Sequence, residues 1–247
     1  MRKLLLSFVP VLIIMFSIIS CNNQKRDVNK EGVESDLIKV ESPILTEYGK
    51  LMPQCKNILT VEVEGIDIAD AIVYIDDDAG DAYMGTAGVG LVPYEGGKNI
   101  SMIVSFDDEG GTKEFEVADK LPEPYVRFFN ALNFEIQDYS FENVAPVIVE
   151  IIAEQKFAEL FPEDNKYMFT SFVATQMRGE QMLKGITVEE GYESNQIDIS
   201  TLQENAEVGD IILINITGIQ RIDFEGNAHN VEIPEKMKEI KLTVKGE

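Results

Sequence analysis

Ile100-Ser101-Met102-Ile103-Val104-Ser105-Phe106, then Asp107-Asp108-Glu109-Gly110-Gly111, then Thr112-Lys113-Glu114-Phe115-Glu116-Val117 is the stretch on which the fold turns. Two runs rich in β-branched and aromatic residues flank a polar segment, and such side chains pack well on a pleated surface. Phe115 and Val117 alternate with Glu114 and Glu116, which turns Phe115 towards a core. Gly110 and Gly111 adopt positive φ without steric cost, so the hairpin loop is expected to contain both.

Outward from this hairpin the pattern stays β. Leu59, Val61 and Val63 alternate with Thr60, Glu62 and Glu64, and Ile72 to Ile75 form a second apolar run. Residues 76–90, rich in Asp, Gly and Ala, are expected as a long turn-prone connection. Pro122 and Pro124 lack the N–H of a continuing strand and place a boundary within residues 125–129. Beyond it, Pro146 precedes Val147, Ile148, Ile151, Ile152, Gln155, Phe157, Leu160 and Phe161, whose spacing predicts a helix over 147–161 that stops at Pro162. Strands return over 167–175, 211–219 and 240–244, with turns at Glu189-Glu190-Gly191 and Glu225-Gly226-Asn227. The fold class is mostly β: two antiparallel, Ig-like β-sandwich domains, 51–127 and 128–247, with one short helix in the second.

The N-terminus carries a targeting signal. Met1-Arg2-Lys3 precede an apolar run over residues 4–19, interrupted by Ser7, Pro10 and Ser17 and shorter than the ~20 residues of a spanning helix. Ile18-Ile19-Ser20-Cys21 is similar to a bacterial lipobox, although Ile19 stands where a small residue is usual. Residues 1–20 are therefore expected to be a signal peptide, with Cys21 lipidated. Residues 21–50 then form a flexible tether of mixed charge. With Cys21 acylated, Cys55 has no disulfide partner and is expected as a buried thiol.

Composition narrows the function. Of 247 residues, 44 are acidic and 21 basic, a net charge of −23, which argues against nucleic acid as a partner and against unaided adsorption to anionic lipid. The surplus is shared: residues 51–127 hold 16 acidic and 5 basic side chains, and residues 128–247 hold 22 and 9. Two such surfaces repel, so any homodimer is expected to meet through strand edges or apolar patches and to tighten as salt screens the charge. Catalytic parts are scarce. His229 lies in a polar turn without a second histidine for zinc, and Cys55 lacks a neighbouring base. Gly85, Gly88 and Gly90 lack the Lys-Ser/Thr of a phosphate loop. With so many carboxylates, some lie close together by chance, so an acid-pair hydrolase ranks third among the functions. Asp76, Asp78 and Asp81 are weak candidates for calcium, but their spacing does not match an EF-hand loop, so no metal and no cofactor is assigned. No residue is assigned a catalytic role.

Glu114-Phe115-Glu116-Val117-Ala118-Asp119-Lys120-Leu121-Pro122-Glu123-Pro124 resembles the "FxVxxIPxP" segment that closes a domain in the GldM/PorM family of gliding motility and type IX secretion. In the same order, Phe169-Thr170-Ser171-Phe172-Val173, Gly209-Asp210-Ile211-Ile212-Leu213-Ile214-Asn215-Ile216, Asp223-Phe224-Glu225-Gly226 and Ile240-Lys241-Leu242 are similar to that family's last domain. The resemblance spans roughly residues 58–244. It implies periplasmic β-domains that dimerise and contact other machine components without catalysis. That family also has an N-terminal membrane helix and further domains, where this chain has a lipobox. The expected protein is thus a lipid-anchored scaffold or interaction protein of the cell envelope, in the outer membrane on its periplasmic side or surface. Its expected partners are other envelope proteins, a second copy, and the membrane through the anchor. The alternative is an outer-membrane lipoprotein that binds a carbohydrate or peptide.

Overall fold

The computed structural model describes residues 38–75, 78–86, 88–106, 109–130, 135–136, 139–142, 146–189 and 191–246. The proposed signal, Cys21, Asp76, Asp77, Asp107, Asp108 and Glu190 lie outside the described residues. The chain is mostly β, with β1 (Ile38–Glu41), α1 (Pro43–Tyr48), β2 (Asn57–Val63), β3 (Ile72–Ile75), β4 (Gly80–Gly85), β5 (Gly88–Pro93), β6 (Asn99–Phe106) and β7 (Glu109–Glu116) in its first half. There follow β8 (Tyr125–Asn130), β9 (Ser140–Glu142), β10 (Val147–Ile152), α2 (Gln155–Leu160), β11 (Lys166–Arg178), β12 (Gln181–Val188), β13 (Gln196–Asp198), α3 (Ser200–Gln203), β14 (Ile211–Ile222), β15 (Ala228–Asn230), α4 (Glu235–Lys238) and β16 (Ile240–Lys245).

Two sheets of order β1-β2-β5-β4 and β3-β6-β7 share a first core around Leu59, Leu91, Met102, Val104 and Phe115. The alternation read in residues 59–63 holds: Leu59, Val61 and Val63 are buried, and Thr60 and Glu62 are exposed. A second core, around Val149, Phe157, Phe169, Ile214 and Leu242, is shared by β13-β10-β8 and a six-stranded sheet. That sheet runs β12-β11-β14-β16-β9, with β15 paired to β14, and all its pairings are antiparallel except β16 with β9.

Four local expectations are corrected. Residues 38–50, expected within a flexible tether over 21–50, carry β1 and α1, and Ile38 is buried in the first core and Ile44 in the second. The β6–β7 hairpin forms and Phe115 is buried, but Gly110 and Gly111 lie within β7, paired with Ser105 and Val104. A Cβ at Gly110 would come within 2.9 Å of the Val104 carbonyl, so glycine is needed there for close strand approach rather than for a turn. Residues 76–90 do not form one long connection, because β4 and the first half of β5 fall inside them. Their glycines admit neighbouring backbone: a Cβ at Gly80 would lie 2.4 Å from the Val92 carbonyl, and Gly88, at φ 125°, faces the Leu59 carbonyl. The helix expected over 147–161 is a strand followed by a helix of six residues, Gln155–Leu160. Val147, Ile148, Val149, Ile151 and Ile152 are stiff at χ1 and favour a sheet, and β10 is central between β8 and β13. The helix starts only where the Glu154 carboxylate accepts the Lys156 and Phe157 N–H groups. Helices α3 and α4 also lie in the second half, beyond the single one expected there.

Residues 44–57 stand between the cores. Ile44, Met52 and Cys55 pack into the second core, whereas Leu51 packs into the first. Buried Asn57 holds this loop: Oδ1 accepts the Met52 N–H at 2.7 Å, and Nδ2 donates to the carbonyls of Met52, Cys55 and Leu91. From the second sheet, fully buried Arg221 donates to the Gln54 carbonyl at 3.0 Å and to Asp164 Oδ1 at 3.2 Å. Asp164 in turn accepts the Lys56 and Phe224 N–H groups. Burial raises the Asp164 carboxyl, opposed by the Lys56 N–H, by Arg221 and by the Phe224 N–H. At the surface beside this tie, Lys56 sits over the rings of Tyr83 and Phe224, and the Tyr83 hydroxyl donates to Glu225.

Candidate functional site

The sheet β8-β10-β13 has two unlike faces. Along β10, Val147, Val149 and Ile151 point into the core, and strand alternation turns Ile148, Glu150 and Ile152 the other way. Register fixes their neighbours: Tyr125 lies opposite Ile152, Arg127 opposite Glu150, and Phe129 opposite Ile148, while Gln196 and Asp198 flank from β13. Tyr125 is 38% exposed; Phe129, Ile148 and Ile152 are half-buried.

A saturated ion pair occupies the middle of this face. The Arg127 guanidinium donates through two nitrogens to Glu150 Oε2. Asn195 Nδ2 and Gln196 Nε2 both donate to Oε1 at 3.1 Å. Four donors thus take up the carboxylate, leaving no free lone pair aimed at a substrate proton, which suits recognition rather than acid–base chemistry. The guanidinium carbon also lies 5.6 Å from the Phe129 ring centre. Tyrosine, phenylalanine and arginine around isoleucines are the composition of a protein-interface core.

The residues singled out from sequence lie elsewhere. Asp78 and Asp81 are exposed, and Asp81 hydrogen-bonds Tyr94, which raises the tyrosine's pKa. Among the described residues no three metal-ligating side chains gather into a cluster. His229 is in β15 opposite Arg221, rather than in a turn, and its Nε2 is 2.7 Å from Asp223 Oδ2. Asp223 Oδ1 accepts the Glu225 and Asn227 N–H groups, so this cluster closes the β14–β15 turn. Cys55 is buried as expected, and burial pushes its thiol far above the usual range. Ile148 and Ile152 were missed because they were read as one face of a helix over 147–161, and Tyr125 and Phe129 because residues 125–129 were read as a domain boundary rather than as a strand beside β10. The signal that finds them is the β-branched run itself, whose period of two places Glu150 among the outward side chains. Among the described residues no helix is long and apolar enough to cross a membrane.

No family model matches the chain, and no curated protein matches it. Among solved structures the chain is similar to a biofilm associated protein, BSP domain, at 13% identity and a TM-score of 0.25, over 85% of this chain. It spans 30% of that structure's length.

Proposed function

We propose that the chain is a lipid-anchored scaffold of the cell envelope which holds another envelope protein against the outward face of β8, β10 and β13. The observation that carries this is the half-exposed ring of Tyr125, Phe129, Ile148 and Ile152 around a neutralised Arg127–Glu150 pair. In a chain of charge −23 such a face is where another surface can approach with little repulsion, and burying aromatic and aliphatic side chains supplies the driving force. The lipobox-like run ending at Cys21 supports the anchor. The GldM/PorM resemblance supports an interaction role without catalysis.

Two experiments test the reading in the intact protein. Cys21→Ser should release it from the membrane fraction, and retention would overturn the anchor. A photo-crosslinking residue at Tyr125 should trap one envelope protein in the native membrane, whereas the same residue at Glu62, on the other core, should not. Equal trapping at both positions, or none at Tyr125, would overturn the scaffold role.

A further inference from the structure

A groove of about 910 Å³ runs between α1, the end of β1 and α2, and none of its lining residues belongs to β8, β10 or β13. Its apolar part is Val40, Leu45 and Leu160, all half-buried. Its charge is one-sided. Glu41, Glu47 and Glu159 line it with a single cation, Lys156, and Lys156 is neutralised by Glu159 at 2.8 Å. Glu41 and Glu47 are exposed, and among the described residues neither has an ion-pair partner. The Glu154 carboxylate next to the groove accepts from the Tyr48 hydroxyl and from the first N–H groups of α2, so it is held in its charged form.

We propose that this groove takes a cationic, amphipathic peptide segment of a partner protein, with apolar side chains on Val40, Leu45 and Leu160 and lysines or arginines against Glu41 and Glu47. The volume lies near the top of the range for small-molecule sites, ~300–1,000 Å³, and suits several consecutive side chains. An anionic or purely apolar occupant would leave two carboxylates desolvated and unpaired, a cost that a cationic one removes. This site is separate from the aromatic face, so a protein could hold one partner on each.

The test uses the mature chain with Cys21→Ser and a labelled nine-residue peptide of alternating lysine and leucine, measured by fluorescence anisotropy at physiological salt. Glu41→Lys with Glu47→Lys should weaken binding about tenfold, since each exposed ion pair contributes up to ~1 kcal/mol and each reversal adds repulsion. The control is Glu114→Lys with Glu193→Lys, which changes net charge equally on other surfaces and should cost less than about twofold at this screening. Equal weakening by the two double variants would mean attraction to the whole acidic surface and would overturn the groove. So would equal binding of a glutamate–leucine peptide, or undiminished binding after the groove reversal. Photo-crosslinking at Tyr125 should persist in the Glu41→Lys, Glu47→Lys variant, so a failure here is distinguishable from failure of the scaffold role.

Discussion

The two cores hold themselves together by different chemistry. The first is apolar throughout, and the buried polar residues from its half of the chain, Ser42 and Asn57, bond chiefly to backbone. The second half buries Asp164, Asp210, Arg221 and Asp223, each with hydrogen-bond or ion partners. Apolar burial is non-directional and indifferent to pH, whereas a buried carboxylate is directional and answers to protons. The contrast teaches that acid should attack one core before the other. It also shows that the second core borrows part of its substance, Ile44, Met52 and Cys55, from the first half of the chain.

The largest test of that asymmetry is to separate the cores. A fragment of residues 38–117 keeps every buried residue of the first core and should unfold cooperatively in urea, followed by tyrosine fluorescence. A fragment of residues 118–247 lacks the borrowed side chains and should show no cooperative transition; if it folds alone, the borrowing is unimportant. Next is Arg221→Met, which strands Asp164 as a buried charge and should cost about 3–5 kcal/mol by urea denaturation. Adding Asp164→Leu should restore much of that loss, and no restoration would mean that Arg221 acts through its grip on Gln54 instead. Phe115→Ala in the first core should cost about 3 kcal/mol, the same at pH 4 and pH 7, because no titrating group is involved.

A smaller, pH-dependent effect belongs to Asp210. Hydrogen bonds from Arg178 hold its carboxyl well below the usual range, aided by the Glu207 N–H and Gln176 and opposed by burial. Its contribution is present above the unfolded pKa of ~3.9 and is lost as pH falls through the lower folded value. Stability curves of the protein and of Asp210→Asn should therefore run parallel at neutral pH and converge below about pH 4. Curves that stay parallel into acid would remove Asp210 from the account. Asp164 has the opposite sign: its raised folded pKa means that ionisation costs the folded state, a cost relieved as pH falls through that value. The smallest change is Ser42→Ala at the α1 N-cap, where Oγ accepts the Ile44 N–H and donates to the Ile58 carbonyl; about 1 kcal/mol is expected by urea denaturation.

What sequence could show followed from local pattern. The alternation at Leu59, Val61 and Val63 and the inward Phe115 were legible because period-two burial is a property of neighbours along the chain. The glycines misled: Gly80, Gly88 and Gly110 admit another strand's backbone, a demand made by residues distant in sequence. The aromatic face needed the register of β8 on β10, and the groove needed α1 beside α2, neither of which leaves a mark in one segment. Arg221 was invisible for the same reason. Its partners, Gln54 and Asp164, lie in separate parts of the chain.

The parallel pairing of β16 with β9 has a consequence in time. Thr243, Val244 and Lys245 add to Ser140, Phe141 and Glu142, so one edge of the large sheet is completed across roughly 100 residues of intervening chain. Closing a loop of roughly 100 residues is entropically slow, and parallel pairs between distant segments form late. The β9 edge is therefore expected to be the last part of the second core to form.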